Sequence, residues 1–514
     1  MLDDASIERI RAAVADSLGD GYATGYSVAV WRDGEVIYAE GFGTKDAASN
    51  PVTTDTVFQI GSDTKKMTAI ALLREVDAGT IELDTTVGDL LPGVTLAASP
   101  GALESLTVHQ LLSHQTGLFD YTPWSDAPDD AELQARVAGA FAAGEYAMMP
   151  AGIAWSYSNP NFSLAGALVE VLGDRPWAEV VIDDIATPLG MAHTYARRDD
   201  MLAHETDVAS GFGPILDADF DTFDLIEIYG TGVSSIGWTT PENHVDNAFT
   251  RPAGLVWSTA SDMATLAGFF VNGDDTVLSD ALRETMSTGQ VGMAVNVAPD
   301  EVGYGYGLMA AGGFSGPQGY RATPLLQHGG NTLDMSSAFL VLPEQGVGVS
   351  ILSNGAGESM DLVAAVALEE AAADRLPEPS TPPQLLDPPA ADLTGYAGAF
   401  SDLALGDATI TWSGTDLEID VPSFAMLGAS VDPVLMPIYR DVFFMTVEGT
   451  QFDLSFYPAP DGTPNAYAVN RSFVFGRAAM GAPRPPMAAL RPRDGLQRVS
   501  PLWAPTPLRL RELW

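Results

Sequence analysis

The chain holds three lysines, and two of them, Lys65 and Lys66, fall at one point of the sequence. Lys65 closes Ser62-Asp63-Thr64-Lys65, the one S-x-x-K in 514 residues. Residues three apart on a helix share a face, so the amine can reach the serine hydroxyl. A free serine is a weak nucleophile and needs a base beside it. A lysine whose pKa is depressed by burial or by a second cation can be that base. A helix N-terminus adds positive potential and a backbone N–H for an oxyanion. These are the parts of acyl transfer through a covalent serine ester. Asp63 pulls the other way, because a carboxylate two residues from Lys65 would raise its pKa. Lys66 is expected on the solvated side of the turn.

Two further groups fit the same chemistry. Tyr157-Ser158-Asn159 offers a phenol that can relay a proton between nucleophile and leaving group. Asn159 can hydrogen-bond a substrate carbonyl or amide and also fix Lys65. His328-Gly329-Gly330-Asn331 precedes an apparent strand. Its glycines would let a substrate backbone approach closely, and the Asn331 N–H would be the second oxyanion donor.

Several elements must position these groups. Ile7, Ile10, Ala13, Val14 and Leu18 recur at helical spacing, which predicts a helix over 4–18. Tyr26 to Trp31 and Val36 to Tyr38, around Asp33-Gly34, read as a hairpin with a tight turn. Residues 62–78 read as a helix. Residues 120–250 read as helices and loops laid over a core. Ser337 to Leu342 and Val347 to Leu352 form a second hairpin, and a helix is expected over 359–375. Six prolines between Leu376 and Pro389 favour extended backbone. The chain therefore divides into 1–376, a linker at 377–389, and 390–478. This last part carries short β-like runs that suggest a small antiparallel barrel or sandwich. Residues 479–514 are rich in proline and arginine and read as a disordered tail.

Composition excludes much else. Sixty-eight acids against 24 basic residues give a net charge of −44, which repels nucleic-acid phosphate. There is no cysteine, so disulfides and thiolate chemistry are absent. The acid-rich, lysine-poor composition fits a salt-adapted surface. No apolar run is long enough to span a membrane. The start, Met1-Leu2-Asp3-Asp4, lacks the basic and apolar regions of a signal peptide, which fits a cytoplasmic protein or the mature form of an exported one. The six histidines show no metal-binding spacing, and no glycine-rich phosphate loop follows a strand. No metal or cofactor is expected, and the expected partner is a small-molecule ester or amide.

The order S-x-x-K, Y-x-N, H-x-G resembles that of the serine β-lactamase and penicillin-recognising family. That family includes class C β-lactamases, D-alanyl-D-alanine carboxypeptidases, D-amino-acid peptidases and family VIII carboxylesterases. Leu111-Leu-Ser-His-Gln-Thr-Gly-Leu118, Pro188-Leu-Gly-Met191, Ala253-Gly-Leu255 and Gly303-Tyr-Gly-Tyr-Gly307 are similar to its landmarks. Leu393 to Phe400 is similar to the lipocalin-like domain that some members append. The resemblance implies an α/β (α+β) fold: an antiparallel sheet flanked by helices, a mainly helical subdomain, and a small C-terminal β-barrel. It implies Ser62 as the acylated nucleophile, with Lys65 and Tyr157 as the base pair for acylation and deacylation. Asn159, His328 and Gly330 would line the substrate, and the N–H groups of Ser62 and Asn331 would form the oxyanion hole. His114 is expected to be structural.

Class C β-lactamases usually place lysine where His328 stands, to grip a substrate carboxylate. A largely neutral imidazole grips one less well. The first functional expectation is therefore a carboxylesterase for short-chain acyl esters. The second is a D-amino-acid peptidase or β-lactamase using the same residues. The third is a catalytically silent peptidoglycan-binding module, against which the intact Ser62, Lys65 and Tyr157 speak.

Overall fold

Asp3 opens the first helix, α1 (Asp4–Ser17), by accepting the Ser6 N–H at 2.8 Å. The chain then runs into β1 (Gly25–Arg32) and β2 (Glu35–Gly43). Asp33 and Gly34 between them both take positive φ, 55° and 102°, which matches the twist of a two-residue hairpin turn. This computed structural model describes residues 1–478 apart from 19–21, 97–98, 100, 123–124, 144, 217–232, 404, 427–429, 448 and 472. The Pro/Arg-rich tail lies outside the described residues.

The expected helix after Ser62 is a 3₁₀ turn (Gly61–Thr64) running into α2 (Lys65–Asp77). The helical layer over the core includes α3 (Asn159–Gly173) and α4 (Ala260–Asn272). One element of the 120–250 region was not expected: an antiparallel hairpin pairing Gly211–Leu216 with Val233–Thr239. Its glycines and Pro214 obscure the two-residue period by which strands are read.

Six more strands complete the sheet: β3 (Val291–Gly292), β4 (Val302–Tyr304), β5 (Met309–Ala311), β6 (Leu325–Asn331), β7 (Ser336–Leu342) and β8 (Val347–Ser353). The order is β2-β1-β8-β7-β6-β5-β4-β3, antiparallel throughout, so the N-terminal hairpin adds onto strands from residues 325–353. Helix α5 (Asp361–Ala371) follows. Helices cover both faces of β1. Tyr26, Val28 and Val30 share a core with Ile10 and Val14 of α1 and with Val363 and Ala367 of α5. Ala29 and Trp31 face the opposite core with Met263 and Leu266 of α4.

Residues 377–389 are extended but not loose. The Ser380 N–H donates to the Tyr320 carbonyl at 2.8 Å, and the Arg440 N–H donates to the Asp387 carbonyl at 2.9 Å. Beyond them eight strands close a barrel: β9 (Gly398–Asp402), β10 (Gly406–Trp412), β11 (Leu417–Asp420), β12 (Val431–Tyr439), β13 (Val442–Val447), β14 (Thr450–Tyr457), β15 (Tyr467–Val469) and β16 (Val474–Arg477). β9 pairs with β16 to complete the ring. Ala408, Ile410, Leu417 and Ile419 alternate inward, onto Phe443, Phe456 and Phe475. The barrel packs directly on the N-terminal body. Val442 of β13 and Leu386 of the linker share an apolar cluster with Trp155, Tyr157 and Tyr304.

Candidate active site

The turn that carries Ser62 is pressed against the end of β6. Gly61 has φ 54°, and a Cβ there would lie 2.5 Å from the Asn331 nitrogen. A Cβ on Gly330 would lie 2.0 Å from the Ile60 carbonyl oxygen and 2.8 Å from the Ser62 nitrogen. Only glycine permits that approach, and it brings the backbone nitrogens of Ser62 and Asn331 to one edge. The Ser337 hydroxyl of β7 clamps the turn from below, donating to Ile60 O at 2.8 Å and lying 2.5 Å from Asp63 Oδ2.

Lys65 is fully buried, and its Nζ has three neighbours. Asn159 Oδ1 and the Ala253 carbonyl lie at 2.7 Å, and Ser62 Oγ at 3.0 Å. Burial holds the Lys65 pKa well below the ordinary lysine value. Asp120 opposes this, and Arg471 and Lys66 add to it. A neutral amine has two hydrogens and one lone pair. The two carbonyl oxygens take the hydrogens, so the lone pair faces Ser62.

Asp63 and Lys66 behave otherwise than the sequence suggested. Lys66 is buried, not solvated. Its Nζ pairs with Asp63 Oδ1 and sits 4.1 Å from the centroid of the Phe339 ring. Asp63 is therefore matched to Lys66 and Ser337, and its pull on Lys65 is weaker than that of Asp120. The reason is packing from far along the chain. β7 brings Ser337 and Phe339 onto the inner side of the first turn of α2.

Tyr157 precedes α3, and its hydroxyl donates to Ser62 Oγ at 2.8 Å. Burial pushes the phenol above its ordinary pKa even though Arg471 and the Ser62 hydrogen bond pull it down. It is a neutral proton donor. His114 lies under its ring with centroids 4.3 Å apart, and burial keeps that imidazole neutral. At the N-terminus of α3, the Asn159 N–H donates to Asp120 Oδ1 at 2.7 Å, and Asn159 Nδ2 donates to Thr122 Oγ1 at 2.9 Å. The amide is thereby oriented with Oδ1 toward Lys65.

His328 is buried and uses both ring nitrogens. Its Nδ1 lies 2.6 Å from the Gly329 carbonyl and must donate to it. Its Nε2 then accepts the Tyr304 hydroxyl at 3.0 Å. Burial drives its pKa well below that of free histidine. The imidazole is neutral, with no hydrogen-bonding position left over.

The structure thus gathers Ser62, Lys65, Tyr157, Asn159, Gly330 and Asn331 around one point, and His328 beside it. Among residues the sequence reading passed over, Ala253 and Tyr304 lie inside landmarks already quoted, and Asp120 lies two residues past another. Arg471 had no such signal. It comes from the barrel, and its guanidinium carbon stands 4.5 Å from the centroid of the Tyr157 ring. Trp155 packs on Tyr157 and Tyr304, and Trp238 packs on Phe212.

A family model described as Beta-lactamase matches residues 10–373. Penicillin-binding protein 4 of Amycolatopsis lactamdurans is 28% identical over 391 residues, covering 74% of this chain and 93% of that protein. Esterase EstB of Burkholderia gladioli is 32% identical over 205 residues, which are 37% of this chain and 52% of the esterase. The octameric penicillin-binding protein homologue from Pyrococcus abyssi has a TM-score of 0.57 at 20% identity, covering 91% of this chain and 99% of its own. At that identity the likeness is one of fold.

Proposed function

Because the chain belongs to the β-lactamase family of serine hydrolases, we propose that it cleaves its substrates through an acyl-enzyme on Ser62. The Ser62 hydroxyl attacks the substrate carbonyl carbon while its proton passes to the Lys65 amine. The oxyanion is held by the N–H groups of Ser62 and Asn331. Tyr157 delivers a proton to the leaving group as the carbonyl reforms. Lys65 then returns the proton to Tyr157, so that both are neutral again. Water attacks the ester and gives its proton to Lys65, and Ser62 leaves with the proton Tyr157 donates, which Lys65 replaces. Asn159 orients Lys65 and receives the substrate, and Gly330 leaves room for it against β6. The observation that carries this reading is the set of three contacts at Lys65 Nζ, which leave one lone pair and aim it at Ser62 Oγ.

For the bond cleaved, the first reading is the ester of a short-chain acyl group. The neutral, fully engaged His328 supports it, and so does the similarity to an esterase. The second reading is an amide bond of a D-amino-acid peptide or a β-lactam, and Arg471 favours it by placing a cation beside Tyr157. Turnover of p-nitrophenyl butyrate, a chromogenic cephalosporin and D-alanine p-nitroanilide by one preparation, with Ser62→Ala as control, separates them. Ester turnover well above the other two, lost in the variant, is the expected result. Undiminished turnover by Ser62→Ala would overturn the acyl-enzyme itself.

A further inference from the structure

Arg471 occupies the loop between β15 and β16, the last hairpin of the barrel. The loop is braced at its base. The Asn470 N–H donates to the Phe473 carbonyl at 2.9 Å, and Asn470 Nδ2 donates to the Asp453 carbonyl at 2.8 Å. Its far side is tied to the catalytic body. The Arg471 carbonyl accepts the Tyr157 N–H at 3.0 Å. The side chain then lies over the face of the tyrosine that touches Ser62. The barrel thus extends into the site, and one side chain from it stands a single residue away from the nucleophile.

That side chain makes no close contact with an acid, although Asp120 and Asp453 lie within its field. Most described arginines are matched to acids, as Arg197 is to Asp130, Arg251 to Asp246 and Arg375 to Asp33, and Arg477 donates to backbone carbonyls instead. Arg471 makes no ion pair with any described residue, and its Nε is buried with no hydrogen-bond partner among them. A buried guanidinium N–H without an acceptor is costly. In a chain of net charge −44 carboxylates are plentiful, so an unpaired cation beside the nucleophile is a feature of the site. A guanidinium presents a planar fork of donors that matches a carboxylate. His328, at the position expected to face the substrate, has no donor to spare.

We propose that Arg471 is a specificity-determining residue, by which the barrel selects substrates carrying a carboxylate within one residue's reach of the scissile carbonyl. This rests on the Ser62 reading and holds for either bond type. An ester of a hydroxy acid and a peptide of an amino acid both present such a group.

The test uses the full chain and matched substrate pairs. One pair is N-acetyl-D-alanyl-D-lactate and its methyl ester, with the carboxylate on the leaving group. The other is a nitrophenyl hemisuccinate and the nitrophenyl butyrate, with the carboxylate on the acyl group. In at least one pair the acid form should have a kcat/KM about tenfold to a hundredfold above its neutral partner, the strength of a charge-assisted hydrogen bond. Arg471→Gln should bring that ratio close to unity, and Arg471→Lys should restore part of it. The ratio is internal to each preparation, so partial misfolding cancels. A preference that survives in Arg471→Gln overturns the proposal, and so does a native chain that prefers neither acid. Ser62→Ala run alongside identifies failure of the other kind: if it still turns these substrates over, the nucleophile has been misassigned, whatever the ratios.

Discussion

At the scale of single residues, the proposed mechanism depends on the protonation of one amine. Lys65 can accept the Ser62 proton only when it is neutral, so kcat/KM should rise with pH through the folded-state pKa of Lys65 and vanish below it. Burial, Arg471 and Lys66 lower that pKa from the ordinary 10.5, which moves the rise to lower pH. Removing a neighbouring cation has the opposite sign. In Arg471→Gln the acidic limb of the pH–rate profile for p-nitrophenyl butyrate should shift to higher pH. A limb that stays in place would mean that a group other than Lys65 sets it. The S-x-x-K pair and the Tyr157–Asn159 pair were legible in the sequence because their chemistry is local, a matter of residue type and helical spacing. The fate of Asp63 and Lys66 was not. Spacing puts both at the head of α2, but only β7, some 270 residues later, decides that this side is inside.

At the scale of elements, α2 and the β6–β7 hairpin are joined beneath Ser62 by the buried Asp63–Lys66 pair and by Ser337. Removing one partner of such a pair leaves an uncompensated charge in the core, at a cost of about 3–5 kcal/mol. Asp63→Asn should therefore lower the thermal unfolding midpoint, and Asp63→Asn combined with Lys66→Met should recover much of the loss. Equal midpoints for native chain and single variant would show that the pair does not hold the turn. The helices and hairpins flanking this junction were legible from their periods. The hairpin built on Gly211–Leu216 was not, because glycine and proline dilute its alternation. The barrel could be read as short alternating strands, but closure needs the pairing of β9 with β16, which no local pattern encodes.

At the scale of the whole molecule, the barrel shares an apolar cluster with Tyr157 and Tyr304 and sends Arg471 over the Tyr157 ring. A linker rich in proline suggested two separate bodies. Its backbone is instead hydrogen-bonded to both parts, and Leu386 is buried between them. The contact brings together residues more than 300 positions apart, so it could not be foreseen from composition. Acylation of the intact chain reads this whole arrangement at once. The most direct measurement is intact-protein mass spectrometry after acid quench during turnover of p-nitrophenyl butyrate, followed by peptide mapping. The arrangement around Ser62 predicts one added butyryl group on the peptide containing Ser62, absent from Ser62→Ala. Turnover without any adduct, or an adduct on another residue, would contradict it.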